Sequence, residues 1–171
     1  MMTIKLVGAL LIILACGAVG YMIAATYKRE ENTLRKLIYA LDYMECELQF
    51  RMPALPDLCR QTARETDGIV SKVFTMLSNE LEDQISPDVK SCMKAVTAKC
   101  KDIPVHTLAS FHLLGDSLGR FDLEGQLKGL ESVRQETRIR LNKLMGNSDV
   151  RLRSYQTLGL CAGAAIVILL M

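Results

Sequence analysis

The sequence predicts an all-α protein: a compact helical bundle of about six helices, flanked by an N-terminal and a C-terminal transmembrane helix. Three observations predict it. Half of the residues are hydrophobic, yet only 5% are aromatic and Trp is absent, so the mixture favours helix over strand. Apolar residues recur at spacings of three and four through the middle of the chain. Both ends are charge-free apolar runs.

Residues 6–27 carry no charge, which allows about 33 Å of helix at about 1.5 Å per residue and spans a bilayer. Lys28 and Arg29 follow at once, and the polar chain continues without a turn signal. Leu34, Leu37, Ile38, Leu41, Met44 and Leu48 then keep helical spacing as far as Phe50, so the first helix runs from the span into the domain. Pro53 and Pro56 end it, because a residue before proline avoids helical geometry. A shorter helix starts near Leu55 or Pro56 and is closed by Gly68. Ile69, Val73, Phe74, Leu77 and Leu81 form the face of a third helix. It stops at Ser86-Pro87, where Ser86 can cap the next helix and Pro87 fits its first turn. That fourth helix reaches Lys101 on a thin stripe of Val89, Cys92, Met93 and Val96, and Asp102 to Pro104 separate it from the fifth.

The fifth helix ends in the sharpest corner of the chain. Leu108, Phe111, Leu114, Gly115 and Leu118 share one face. Gly115 and Gly119 leave a groove for another helix backbone, and Gly119 can take the left-handed conformation that terminates a helix. Asp122 restarts the chain as a cap, with Glu124 favoured by the positive end of the dipole. The last helix carries Leu123, Leu127, Leu130, Leu141, Leu144 and Met145 on or near one face, with the stripe interrupted at Arg134 and Thr137. The cluster Gly146-Asn147-Ser148-Asp149 either breaks it or is run through. From Tyr155 to Met171 the chain is uncharged, at the lower limit for a span. The divisions are therefore 1–27, an N-terminal transmembrane helix; 28–154, a helical-bundle domain; and 155–171, a C-terminal transmembrane helix.

Flanking charge gives the orientation. Lys28, Arg29, Arg35 and Lys36 follow the first span, and Arg151 and Arg153 precede the second, against Lys5 alone on the far side. The positive-inside rule puts the domain in the cytoplasm. The competing expectation is a lipoprotein processed at Ile13-Leu14-Ala15-Cys16 and lying outside the cell, acting as an assembly or binding factor.

Function classes narrow by chemistry. The 21 basic and 19 acidic residues nearly cancel, so nothing draws the chain to nucleic acid. Cys16 and Cys161 lie in the apolar ends, and Cys46, Cys59, Cys92 and Cys100 in helical patterns, where they read as small buried hydrophobes. Cys92, Cys100, His106 and His112 lack the short pairings of a zinc site, and no cofactor is expected. Glu45 with Glu47, and Glu80 with Glu82, stand two residues apart and point to different sides of a helix, so these clusters, with Asp83, read as solvated or interface charges and not as an acid/base pair. No nucleophile motif adjoins His106 or His112. A membrane-tethered enzyme or thiol sensor built on Cys92, Cys100 and His106 is the weakest class. Arg134, Arg138, Arg140 and Lys143 form a basic run that is either a solvated face or a contact for lipid headgroups or an acidic partner.

The corner motif Leu114-Gly115, Leu118-Gly119, Asp122 and Gln126 resembles that of the stage III sporulation protein AB family of endospore-forming bacteria. Glu45, Glu47, Leu48 and Phe50 followed by Leu55-Pro56, and the closing Leu158-Gly159 with Gly163, are similar to other stretches of the same family. The resemblance covers essentially the whole chain. It implies a non-enzymatic subunit of a secretion-like complex between mother cell and forespore, in the mother-cell membrane around the forespore. It also implies a domain like the cytoplasmic helical domains of type II secretion and type IV pilus platform proteins. The implied partners are the secretion-type ATPase of the complex, its other membrane subunits and membrane lipids. The six motif residues are expected to shape the corner or to face a partner.

Overall fold

Six helices and no strand make up the described chain: α1 (Met2–Phe50), α2 (Leu55–Glu65), α3 (Gly68–Glu82), α4 (Val89–Lys99), α5 (Val105–Ser117) and α6 (Leu123–Leu170). This computed structural model describes the backbone over residues 2–83, 88–119 and 122–170, and side chains at 18, 22, 25–83, 88–119 and 122–146. Among the described residues no helix is long and apolar enough to cross a membrane. Most side chains of the two expected spans, 6–27 and 155–171, lie outside the described residues.

The chain divides into two compact units, one of Met1–Arg29 with Lys143–Met171 and one of Glu30–Asn142. In the second, Leu37, Leu41, Met44 and Leu48 of α1 turn one face to a core shared with Phe74 and Leu77 of α3, Met93 and Val96 of α4, Phe111 and Leu114 of α5 and Leu130 of α6. Phe74 and Phe111 meet edge to face with ring centroids 6.1 Å apart, the arrangement that sets the positive edge of one ring on the negative face of the other.

Local chemistry fixes the helix ends. α1 stops at Phe50, where Met52 takes a positive φ of 46° and Pro53 follows. The N–H groups of Arg51 and Met52 both return to the Glu47 carbonyl, at 2.9 and 3.2 Å. α2 ends earlier than Gly68: Thr66 is already extended after Glu65, and Gly68, with φ 67°, is the first residue of α3. Glycine here opens a helix instead of closing one, because the link needs its left-handed backbone. The expected Ser86 cap and Pro87 start lie outside the described residues. α4 opens at Val89 with Asp88 as its cap, the carboxylate accepting from the Ser91 N–H at 3.3 Å.

α5 has no capping side chain of its own. Glu30, buried on α1, supplies one across the fold by accepting from the His106 N–H at 3.0 Å, which ties α1 to the first turn of α5. Other charged pairs join helices in the same way: Lys36 to Asp67 at 2.6 Å, Lys99 to Glu80 at 3.1 Å and Arg60 to Glu82.

The stripe of α6 is not interrupted at residue 137. Thr137 is fully buried with its hydroxyl donating to the Val133 carbonyl at 2.7 Å, so its methyl group serves the core while its polar atom is satisfied. Met145, by contrast, is exposed. The helix runs unbroken through Gly146-Asn147-Ser148-Asp149. Cys59, Cys92 and Cys100 are buried as expected, but Cys46 is exposed, because it lies on the α1 face opposite the core. Burial pushes the Cys59 thiol up to about 12, which leaves it unreactive near neutral pH.

The basic run on α6 finds an acidic face within the chain. Arg134 reaches Asp42 at 2.6 Å and Glu45 at 3.0 Å on α1 and also meets Glu131, while Arg138 lies 3.9 Å from Asp42. Arg140 pairs along its own helix with Glu136. Arg134 is mostly shielded from solvent, so Arg134→Met should cost about 1–2 kcal/mol by removing the base shared by Asp42, Glu45 and Glu131, with Arg138 left to face Asp42 at 3.9 Å. Thermal unfolding of Arg134→Met, Asp42→Asn and the double variant checks this: a double variant no less stable than Arg134→Met alone marks direct coupling, and additive losses refute it.

Candidate functional site

The corner between α5 and α6 is set by packing, backbone geometry and capping at every residue of the motif except the last. Leu114 and Leu118 are fully buried. The Leu118 N–H closes α5 on the Leu114 carbonyl at 3.0 Å. Gly119 then takes φ 75°, as a left-handed helix terminator requires. Both glycines face α4. A Cβ on Gly115 would stand 2.8 Å from the Met93 Cβ, and one on Gly119 would stand 2.6 Å from the Val89 Cγ2. Lys90 on α4 and Asp116 on α5 clasp the same seam at 2.7 Å.

Asp122 caps α6, its Oδ1 accepting from the Gly125 N–H at 3.0 Å and its carbonyl from the Gln126 N–H at 2.9 Å. Glu124 in the first turn pairs with Lys128 at 2.7 Å. Gln126 differs from the other five motif residues. With Leu48, Met52, Pro53, Leu55 and Leu123 it lines an open hollow of about 210 Å³ where the end of α1, the start of α2 and the start of α6 converge.

One member of this corner escaped the sequence reading. Gly129 faces Ser117 so closely that a Cβ there would be 2.9 Å from the Ser117 Cβ, which lets α6 lie against the end of α5. The signal was present: Gly125 and Gly129 repeat the spacing of Gly115 and Gly119.

The candidate chemical groups are dispersed. His112 meets the Thr97 hydroxyl at 3.2 Å, while His106 is exposed. Cys100 lies against the Met76 sulfur at 3.5 Å. Among the described residues no group of three or more His, Cys, Asp or Glu side chains is arranged to hold a metal ion. Glu45, Glu80 and Glu82 are each engaged by a base on another helix.

Six helices in the described chain, turned at one glycine-packed corner, define the class: an all-α helical-bundle protein. The chain belongs to the stage III sporulation protein AB family, whose model matches residues 5–171. A relative described as stage III sporulation protein AB, from Bacillus subtilis (strain 168), is 25% identical over 174 residues, covering 98% of this chain and 99% of its own. A solved structure of stage III sporulation protein AB (SpoIIIAB) is similar in fold, with a TM-score of 0.63 at 18% identity over 71% of this chain and 97% of that one. Membership of this family supports a role in sporulation.

Proposed function

We propose that the protein is a non-enzymatic platform subunit of a sporulation-specific, secretion-like complex, anchored by both ends in the mother-cell membrane around the forespore. Its helical domain faces the cytoplasm, where it contacts a secretion-type ATPase of the complex, and neighbouring membrane subunits and lipids surround its spans. The observation that carries this reading is the construction of the two long helices. α1 and α6 each continue without a break between the Glu30–Asn142 unit and a charge-free apolar run at a chain end. Two helices that contribute to the core of the domain are thus the same two that carry the apolar runs of membrane-spanning length. Lys28, Arg29, Arg151 and Arg153 flank the runs on the domain side, which supports the cytoplasmic orientation. The absence of an enzymatic role is part of the proposal: the carboxylates that acid/base chemistry would need instead join helix to helix.

Topology is the first test. Single cysteines at Glu31 and Ser148, in a full-length chain with Cys16, Cys46 and Cys161 replaced, are expected to resist a membrane-impermeant maleimide in intact cells and to react after lysis. The buried thiols at 59, 92 and 100 stay silent in the folded chain. Labelling in intact cells would reverse the topology and return the Cys16 lipoprotein expectation.

A further inference from the structure

α1 turns a second apolar stripe to solvent. Tyr39, Tyr43, Cys46 and Phe50 follow one another at spacings of four, three and four, on the face opposite Leu37, Leu41, Met44 and Leu48. Tyr39 is 53% exposed and Phe50 78%, Cys46 is exposed and Tyr43 is partly covered. In a chain with few aromatic residues, half of those whose side chains are described stand in this line, while the core takes only Phe74 and Phe111. Exposed aromatic anchors at helical spacing are a common form of interface hot spot.

The flanks of the stripe identify its occupant. Between Tyr39 and Phe50, α1 carries Asp42, Glu45 and Glu47 and no base. On one side, Glu131 of α6 adds a further carboxylate and Arg134 and Arg138 offset part of the total. On the other, Glu47 pairs with the well-exposed Arg51 at 3.5 Å, and Glu65 of α2 lies near Tyr43. Five carboxylates thus border the stripe from Asp42 onward against three guanidinium groups, and the Glu31–Arg35 pair before Tyr39 adds no net charge, on a chain whose overall charge is positive. The Tyr43 hydroxyl registers this field: its pKa is raised by burial, then by Glu47 and Glu65, with Arg51 opposing. An acidic rim repels an anionic lipid surface and a second copy of the same face. It attracts cations, and exposed aromatic rings add a second attraction for the same groups.

We infer that the Tyr39–Tyr43–Cys46–Phe50 face of α1 is a docking surface for a basic amphipathic helix of another subunit, one that sets Lys or Arg beside apolar residues at spacings of three and four. This names the chemistry of a partner within the subunit-assembly part of the reading above, and it does not depend on which side of the membrane the domain lies.

The test places a benzophenone amino acid at Cys46 in the full-length chain, in sporulating cells, and sequences the cross-linked peptide after irradiation. The expected adduct joins position 46 to a different protein through a segment with at least two Lys or Arg residues interleaved with apolar ones. It should fall at least about tenfold in the Tyr39→Ser, Phe50→Ser double variant, and also in Glu65→Lys. Chain abundance and thermal unfolding should be unchanged in both, since these side chains stand outside the core. An adduct with a second copy, with lipid or with an acidic segment overturns the inference. So does an adduct that survives both variants, or none at all. Labelling of Glu31→Cys in intact cells would remove the cytoplasmic platform and leave this chemistry to be judged by the adduct alone.

Discussion

Gly119→Val is expected to destabilise the protein by about 3 kcal/mol. Two costs add. A side-chain-bearing residue held at φ 75° loses about 1–2 kcal/mol, and a β-branched one sits at the upper end. Forcing atoms into an occupied space costs about 1–3 kcal/mol more, and here the first added atom would lie 2.6 Å from the Val89 Cγ2. Val89 cannot simply swing away, since it opens α4 directly behind the Asp88 cap. In a domain of this size the loss corresponds to a fall of roughly 10–15 °C in the melting temperature, read from the helical circular dichroism of the full chain in detergent. Gly146→Ala is the matched control. Nothing lies within 4 Å of a Cβ there, the residue is in mid-helix, and the exchange should gain about 0.5–1 kcal/mol from helix propensity. A Gly119→Val chain that melts with the wild type would show that the corner does not depend on this glycine.

That contrast shows what the sequence makes legible. Gly119 and Asp122 could be read because their roles are local: a left-handed residue ends one helix, and a carboxylate caps the next within one turn. Pro53 marked the end of α1 for the same reason. Gly68 resembles Gly119 in sequence and backbone but begins a helix, since the extended Thr66 and Asp67 before it are what ended α2. The Arg134 position looked like a gap in the apolar stripe, because only the fold sets Asp42 and Glu45 opposite it. Glu30 capping α5 from far away in the chain had no sequence signal at all. Gln126 is legible in the motif, but only the structure separates it from its neighbours. Five motif residues are explained by packing, capping and backbone geometry, whereas Gln126 opens onto a hollow with Leu48, Met52 and Leu55.

The core has its own single point of failure, at Phe111. Truncation to alanine should cost about 4 kcal/mol, the largest effect expected of any substitution considered for this domain. The side chain is fully buried, and its edge-to-face contact with Phe74 joins α5 to α3. With no other aromatic ring among the described core residues, the surrounding Leu, Val and Met side chains would have to close the space. Thr107 and Ser110 lie buried beside Phe111 on the same helix. Collapse there would draw polar groups inward, and the cavity is expected to persist. Phe111→Leu keeps most of the volume and should cost less than about 1.5 kcal/mol. Chemical unfolding of the two variants distinguishes a packing role from a specific ring contact. A large loss in alanine with a small one in leucine assigns the energy to filled volume. Equal large losses would assign it to the aromatic pair, whose geometry contributes only about 0.5–1.5 kcal/mol in ordinary cases. Two small losses would mean that α5 is held in place without Phe111, by the Lys90–Asp116 clasp and the glycine seam that join it to α4.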